Sequence, residues 1–269
     1  YDFPRHGGFY ILTWAHAYEV TRDPVFLTAI ETVFGLFCRT SSERTGMIPR
    51  TSTSGDHGTP GSNLSLAMDL WAAAEMLPED LAHRLRERAR KTDRIVQQVK
   101  HDFTEGFTVG CDLHTLEPRA HAAYWKTGYG HATSAQIANI CYERYRQVSD
   151  RAVKNGYRRL ILACAEHYLK SEPDMDQTIY PGAMGDAIWH MVIAADLSGQ
   201  DRYLHRADAF ARMAIAHLMD DMAPLPKASS RHEHYEAITR ADTLMMALLA
   251  LAQIQDGDAS EVRLIYTDR

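Results

Sequence analysis

The chain has 269 residues, 45% of them hydrophobic and 24% charged, which is typical of a folded globular protein and not of a disordered one. Its formal charge of −6 is spread along the sequence, which disfavours nucleic acid as a partner. No apolar run reaches the roughly 18 residues that span a bilayer, so we expect no membrane insertion.

The four cysteines and the first residues say little about compartment. Cys38, Cys111, Cys141 and Cys164 are far apart and form no CxxC pair, which argues against a zinc ribbon or redox motif. The three inside helical patterns, Cys38, Cys141 and Cys164, are expected to be reduced, buried thiols. The chain opens at "YDFPRHGG" without a methionine or a signal-peptide pattern, which leaves its localisation open. A longer precursor would favour the periplasm or secretion, and otherwise the cytoplasm is expected.

Nine segments carry helical periodicity, and in chain order they cover 7–21, 24–41, 62–77, 79–103, 131–148, 150–171, 183–198, 201–219 and 238–255. Breaks of a few residues ("TRDP", "LPED", "QVSD", "SGQD") join the first eight into four pairs of antiparallel helices. An aspartate near the start of each second helix suits an N-cap or the first helical turn. The long connections between the pairs cover 42–61, 104–130, 172–182 and 220–237.

The two helices of a pair differ in character. The first is apolar nearly all round, as in "AIWHMVIAADL" or "TLMMALLALAQI", and must be buried on every side. The second is amphipathic, as in "EDLAHRLRERARKTDRIVQQV", and its charge run is expected to be a solvated face laced by i,i+4 pairs. An inner ring of buried helices wrapped by an outer ring satisfies both patterns.

With hairpin joints such as "YEVTRDPVFLTAIETVFGLF" and "AADLSGQDRYLHRADAFARMA", the chain resembles the six-hairpin (α/α) toroid superfamily of polysaccharide lyases and glycoside hydrolases. The resemblance implies an all-α fold, an (α/α) toroid or incomplete toroid of helical hairpins. Four pairs and a ninth helix are fewer than such toroids usually need to close. We therefore expect either an open arc or a piece of a longer protein.

Two stretches look extended instead of helical. The segment "EGFTVGCDLHTLEPR" (105–119) alternates in polarity and predicts one small β-hairpin inserted in a loop. The final "EVRLIYTDR" alternates too, and lyases of this superfamily commonly follow the toroid with a β-sandwich. We assign residues 1–256 to the helical domain and 257–269 to an extended tail, the possible start of a β-domain.

If the inner helices all run the same way, the long loops gather over one rim, where binding and catalysis concentrate. Aromatic rings cover the apolar face of a sugar while polar groups meet its hydroxyls. Trp125, flanked by Tyr124, is the predicted stacking residue, and the alternative is a loop anchor that fills the core. Histidines inside helical patterns, such as His190, are expected to be packing or surface residues.

Two chemistries compete for such a rim. Hydrolysis needs two carboxylates across the glycosidic bond. Asp186 and Glu233 are the candidates, and Asp186 suits a helix cap equally well. β-Elimination needs a cation on the carboxylate of a uronic acid, a base for the C5 proton and an acid for the leaving oxygen. A tyrosine or histidine beside cations can act as this base or acid, and both "KTGYGH" and "RHEHY" offer that combination.

The sequence therefore predicts a polysaccharide lyase that cleaves an acidic, uronic-acid-containing oligo- or polysaccharide. The predicted base and acid are Tyr129 or Tyr235, with His131 or His234 assisting. The cations that would hold the substrate carboxylate are Arg231, Arg240 and Lys126. Further substrate contacts are expected from Trp125, Tyr124, His57, Tyr180, Arg5 and His6. A glycoside hydrolase of the same fold and a non-catalytic scaffold that binds a partner on its concave face are the alternatives.

No metal or other cofactor is expected. His232 and His234 nevertheless have the spacing of two zinc ligands on an extended strand, with His57 or His131 as a possible third. A zinc site, a substrate contact and a solvated loop therefore all stay open for this segment, and so does the oligomeric state.

Overall fold

The computed structural model describes residues 2–53 and 55–257. Nine α-helices lie in this part of the chain: α1 (Phe3–Thr21), α2 (Pro24–Thr40), α3 (Pro60–Ala73), α4 (Glu79–Gln98), α5 (Ser134–Gln147), α6 (Arg151–Tyr168), α7 (Pro181–Ser198), α8 (Asp201–Leu218) and α9 (Ala241–Gln255). All nine predicted helices are confirmed, with ends that differ by a few residues. No helix among the described residues is long and apolar enough to cross a membrane.

The helices form two layers. The odd-numbered helices are the inner ones, and each of them contacts the next odd-numbered helix. Each of α2, α4, α6 and α8 packs against the inner helix that precedes it. Of the 18 residues in α7, 14 are buried, whereas only 6 of the 18 in α8 are. The predicted division into buried inner helices and amphipathic outer helices is therefore confirmed for these elements.

The two inner helices at the ends of this series depart from that rule. Leu249 in α9 is 51% exposed and Phe9 in α1 is 62% exposed. The expectation that "TLMMALLALAQI" is buried on every side is therefore wrong for α9. The physical reason is that α9 packs mainly on α7, on one of its sides, so its other face has fewer neighbours to cover it.

Aspartates make the short joints between paired helices. The Asp23 carboxylate accepts a hydrogen bond of 2.9 Å from the Val25 N–H at the start of α2. Asp150 accepts bonds of 2.8 and 3.1 Å from two N–H groups at the start of α6. In α4 and α8 the acidic residue lies in the first helical turn instead. Both arrangements satisfy or complement helix N–H groups, as the joint sequences predict.

The chain segments before α3 and before α5 together form a three-stranded antiparallel sheet. Strands β2 (Thr108–Asp112) and β3 (Pro118–His121) form the predicted hairpin, which is confirmed. Strand β1 (His57–Gly58) adds a third strand on β2, with His57 opposite Asp112. The hydrogen bonds from Arg50 N–H to the His57 carbonyl and from Phe3 N–H to the Arg50 carbonyl tie the sheet to the start of α1.

A buried ion pair joins the inner helix α5 to the outer helices α4 and α6. Arg144 in α5 donates two hydrogen bonds of 2.8 Å to the Asp93 carboxylate in α4. The Tyr157 hydroxyl in α6 donates a third bond of 2.7 Å to the same carboxylate, and the Arg144 guanidinium lies over the Trp71 ring. The charge is thus fully partnered inside the protein, which buried charges require.

Three of the four cysteines are buried and all four are free thiols. Burial raises the pKa of Cys111 to about 11 and that of Cys141 to about 12. Cys38 is exposed, so the expectation that it is buried is wrong. It stands in the last turns of the amphipathic α2, on the face that the inner helix does not cover.

Residues 258–269 lie outside the described part of the chain, and with them most of the predicted extended tail. The domain boundary at residue 256 therefore stays a prediction.

Candidate functional site

The starts of the inner helices meet at one rim. The Ser62 hydroxyl in α3 donates to the Asp2 carboxylate, which caps α1. His131 Nε2 lies 3.0 Å from the Ile238 carbonyl oxygen, so the loop before α5 contacts the loop before α9. The predicted gathering of the long loops over one rim is therefore confirmed.

A cleft of about 450 Å³ opens at this rim, between the starts of α1, α3 and α5 and the sheet. Its apolar wall consists of Val109, Ala120, Ile137 and Ile140. The polar side chains that line it are those of Asp2, Arg5, Arg50, His57, Thr59, Ser62, Ser65, His131 and Gln136. Two guanidinium groups, two imidazoles and an apolar surface thus line the same cleft.

Asp2 supplies the one carboxylate among the described residues that line the cleft. Its side chain accepts hydrogen bonds from the Arg5 N–H at 3.3 Å and from the Ser62 hydroxyl. It therefore serves as the N-cap of α1 and connects α1 to α3. The exposed Arg50 side chain forms no hydrogen bond or ion pair within the described residues. The local charge of the cleft is positive, although the chain as a whole is acidic.

The loop that carries His131 has an unusual backbone. Tyr129 and Ala132 adopt left-handed φ angles of 54° and 56°, with Gly130 at 76° between them. For a residue other than glycine this conformation costs about 1–2 kcal/mol. The Gln136 side chain accepts a hydrogen bond of 2.5 Å from the Ala132 N–H and holds the loop at the start of α5. Strain of this kind persists only where surrounding contacts enforce it, and it clusters at functional sites.

A buried ion pair holds this loop in place through a hydrogen bond to its backbone. Arg240 donates hydrogen bonds of 2.6 and 3.0 Å to the two carboxylate oxygens of Asp186, and a third of 3.0 Å to the Gly130 carbonyl. The side chains of Arg240 and Asp186 are 5% and 0% exposed. The predicted substrate contact of Arg240 and the predicted acid/base role of Asp186 are therefore contradicted, because each group is already paired and shielded from the cleft.

The two aromatic residues predicted to contact sugar lie in the core instead. The Trp125 indole N–H donates to the Ser171 hydroxyl at 2.8 Å, and its ring packs edge-on against Tyr168 and Phe210. The Tyr124 hydroxyl donates to the Phe103 carbonyl at 2.6 Å, and burial raises the pKa of Tyr124. Both side chains are at most 8% exposed, so stacking on a sugar is excluded and the loop-anchor alternative describes Trp125.

Several predicted site residues lie at the rim but outside the lining of the cleft. Tyr129 is half exposed, and its ring centroid lies 5.8 Å from that of Tyr180, the N-cap of α7. His6 Nδ1 lies 2.7 Å from the Asp2 carbonyl oxygen. The remaining predicted residues have exposed side chains and are Lys126, Arg231, His232, Glu233, His234 and Tyr235. Roles for these residues in binding or catalysis stay predictions.

The segment that suggested zinc has two adjacent imidazoles. The ring centroids of His232 and His234 are 6.1 Å apart, and His232 Nδ1 lies 2.8 Å from the Ser229 hydroxyl. Within residues 2–53 and 55–257, no group of three histidine, cysteine, aspartate or glutamate side chains is placed to hold a metal ion. The zinc alternative thus has no third ligand in that part of the chain.

Sequence reasoning missed Arg50 and Gln136. Arg50 directly precedes the loop that leads to His57, and its closeness in sequence to this predicted site residue could have indicated it. Gln136 belongs to "TSAQ", which has the T-x-x-Q pattern of a capping box, and the Thr133 side chain accepts from the Gln136 N–H at 3.0 Å. That pattern marks a helix start, and the rim is formed by the starts of the inner helices.

No protein-family model and no curated protein matches the chain. Solved structures do match it. An α-1,6-mannanase from a Salegentibacter species has a TM-score of 0.56 and 14% identity, over 93% of this chain and 77% of that one. A cellobiose 2-epimerase from Bacillus thermoamylovorans has a TM-score of 0.57 and 14% identity, over 81% and 61%. A D-mannose isomerase has a TM-score of 0.61 and 10% identity, over 96% and 70%.

These structures are (α/α) toroid enzymes, and the similarity shows that the present chain has the same type of fold. The predicted all-α toroid architecture is thereby confirmed. The chain spans 61–77% of the length of the three proteins. An inactive variant of the mannanase has been solved in complex with α-1,6-mannotriose.

Proposed function

We propose that the protein is a carbohydrate-active enzyme that removes a carbon-bound proton from an acidic sugar in the rim cleft, as a polysaccharide lyase of uronic-acid glycans does. The observation that carries this proposal is the composition of the cleft. It combines Arg5 and Arg50 with His57 and His131, and its one carboxylate among the described lining residues is used as a helix cap.

The cleft offers each group that β-elimination needs. A guanidinium on the uronate carboxylate makes the neighbouring C5–H bond more acidic and stabilises the charge that develops. One imidazole takes the C5 proton, the C4–C5 double bond forms, and the C4–O bond breaks while a second group protonates the leaving oxygen. Histidine is the side chain that enzymes use most often for such transfers. We assign the carboxylate to Arg5 and Arg50, and the proton transfers to His57 and His131.

The position of His131 supports a role as base. A hydrogen bond from its Nε2 to the Ile238 carbonyl, at 3.0 Å, requires the proton on Nε2 and orients the ring at the rim. The strained and anchored loop fixes the ring relative to the cleft. Both features prepare a proton acceptor before the substrate arrives, which is what efficient catalysis requires.

Sugar as the substrate class is supported by two observations. The apolar lining of the cleft suits the C–H face of a pyranose, while its polar side chains suit the sugar hydroxyls. The solved structures with this fold include a mannanase, an epimerase and an isomerase, and the mannanase binds a mannotriose.

A second candidate is the epimerisation or isomerisation of a neutral sugar. It also begins with removal of a proton next to a carbonyl, so the same histidines and arginines would serve, and two of the similar structures are an epimerase and an isomerase. Hydrolysis is a third candidate, since one of the similar structures is a mannanase. It needs two carboxylates roughly 5–9.5 Å apart, and the described lining residues provide Asp2 alone.

The test is incubation with a panel of acidic polysaccharides and neutral oligosaccharides, with three readouts. These are the ultraviolet absorbance of an unsaturated uronate, the number of new reducing ends, and the sugar composition by NMR. We expect the absorbance to rise with an acidic glycan. We expect His131→Asn and Arg50→Gln to lower turnover by about 10²–10⁴-fold, and His205→Asn on the exposed face of α8 to leave it unchanged.

Each other result has a defined meaning. New reducing ends without the absorbance would establish hydrolysis and overturn elimination. An altered sugar without chain cleavage would establish epimerisation or isomerisation. Absence of all three across the panel would favour the non-catalytic scaffold.

A further inference from the structure

A second cluster of cations lies in a groove of about 460 Å³ between α2 and α4, on the outer layer. The groove shares no lining residue with the rim cleft. Its cations all belong to α4 and are Arg84, Arg88, Arg90, Lys91 and Arg94. In a chain whose formal charge is −6, five cations around one groove are a local concentration against the overall balance.

The i,i+4 ion pairs expected along this helix are largely missing. Arg84 lies 3.5 Å from Glu31, and Glu87 lies 3.7 Å from His83. Arg90, Lys91 and Arg94 form no ion pair within the described residues. The physical reason is that arginines occupy the successive i,i+4 positions 86, 90 and 94, where like charges repel. The groove therefore retains most of its positive charge.

Arg88 is the unusual member of the cluster. It lines the groove but is only 7% exposed. Its Nη2 donates to the Gly46 carbonyl at 2.7 Å, while its buried Nε has no hydrogen-bond partner in the described part of the chain. Burial lowers the pKa of Arg88 because it disfavours the charged form. A buried guanidinium without a carboxylate partner is costly, and an anion in the groove would offset that cost.

We propose that the α2–α4 groove binds a multivalent oxyanion, a molecule with several phosphate, sulfate or carboxylate groups. Arg88 forms the base of the site, and Arg90, Lys91 and Arg94 bind the outer charges. Arg88 and Arg94 are six positions apart, which at 1.5 Å per residue is a rise of about 9 Å and suits a ligand with separated charges better than a single small ion. The proposal does not depend on the proposed enzymatic function.

Cys38 provides a local reporter for this site. It lines the groove and is the exposed cysteine, whereas Cys111, Cys141 and Cys164 are buried. A thiol reagent should therefore modify Cys38 alone in the folded protein. A ligand bound in the groove should slow that reaction, because it covers the thiol.

The experiment titrates the full chain with inorganic tripolyphosphate and, separately, with trigalacturonate, and uses maltotriose as the neutral control. Binding is followed by calorimetry and by the rate of Cys38 alkylation with N-ethylmaleimide. We expect one site per chain whose occupation slows Cys38 alkylation, with an affinity at that site that falls as salt is added. The variant Arg90→Gln/Lys91→Gln/Arg94→Gln should bind about tenfold more weakly or worse. Arg159→Gln, on the exposed face of α6, should bind as the parent does.

The two anions distinguish the source of the ligand. Stronger protection of Cys38 by tripolyphosphate indicates a phosphorylated ligand, and stronger protection by trigalacturonate indicates an acidic sugar; either supports the groove. The proposal is overturned if neither anion binds. It is also overturned if Cys38 protection survives the triple substitution, or if binding is unaffected by that substitution and is weakened in Arg5→Gln/Arg50→Gln, because the anion then occupies the rim cleft.

Discussion

Two buried arginine–aspartate pairs of similar geometry hold different parts of this molecule. Arg144 and Asp93 lie within regular helices, with both of their hydrogen bonds at 2.8 Å. Arg240 and Asp186 lie beneath the rim, with bonds of 2.6 and 3.0 Å. All four side chains are at most 5% exposed.

The difference lies in the third partner of each pair. The Asp93 carboxylate also accepts from the Tyr157 hydroxyl, so that pair connects α4, α5 and α6, with the Arg144 guanidinium over Trp71 of α3. Arg240 also donates to the Gly130 carbonyl, so its pair holds a left-handed loop beside the cleft. A buried ion pair is weak grounds for inferring net stability, although removing one partner is costly. We infer that the first pair is structural and that the second also positions the site.

The largest effect is expected from Asp186→Ala. It leaves the buried Arg240 charge without its partner and should lower the free energy of unfolding by about 3–5 kcal/mol. It should also release the 128–132 loop and reduce turnover at least as much as His131→Asn does. Denaturant unfolding and limited proteolysis within the loop measure the two effects. Unchanged proteolysis and turnover in the folded fraction would show that the pair does not position the loop.

Arg144→Met should cost a similar 3–5 kcal/mol of stability, because it strands the Asp93 carboxylate in the interior. Turnover per folded molecule should not change, since this pair contacts no rim residue. The double variant Asp93→Leu/Arg144→Met should recover part of the stability, because no unpaired charge remains. If the folded Arg144→Met variant lost turnover, the Arg144–Asp93 pair would not be purely structural, and the two pairs would no longer differ in role.

The pH dependence of stability tests the interior in a further way, because two buried histidines stay neutral in the folded chain. Burial lowers the pKa of His190 to about 3 and that of His101 to about 4, from an ordinary value near 6.5. Between those values and pH 6.5, the unfolded chain binds protons that the folded chain does not. Stability is therefore full above pH 6.5 and falls as the pH drops, by about 1.4 kcal/mol per pH unit for each fully titrating histidine.

Urea unfolding between pH 7 and pH 5 measures this slope. His190→Leu should flatten it by the share of one histidine, whereas His205→Leu on the surface should not. An identical slope in His190→Leu and the parent would contradict the neutral state of His190 in the fold.

The smallest effect is expected from Trp125→Phe. It removes the hydrogen bond to Ser171 and part of a buried ring, so stability should fall by about 1–2 kcal/mol. Substrate affinity should not change, because the side chain lies in the core. A weakened affinity with unchanged stability would restore Trp125 as a sugar contact.

The sequence predicted the helices well because their periodicity reflects which faces are buried. Nine helical segments, their short joints and the hairpin at 105–119 could all be recognised from local pattern. Strand β1 could not, because two residues show no alternation.

The site was harder to predict, because side-chain direction depends on tertiary packing. Trp125 and Tyr124 stand in a loop, yet they point into the core. Asp186 and Arg240 are 54 residues apart, and nothing local indicates that they pair. Arg5, His57 and His131 were singled out from their place near helix starts and do line the cleft, whereas Arg50 and Gln136 were missed.

The convergence of helix starts on the cleft has an electrical consequence of its own. The first turns of α1, α3 and α5 all contribute residues to its lining. A helix N-terminus carries the equivalent of roughly half a positive elementary charge on its backbone amides. Three macrodipoles therefore direct their positive ends toward the same space. A variant stripped of both Arg5 and Arg50 would still attract anions there, by a field that belongs to the peptide bonds and that side-chain substitution cannot delete.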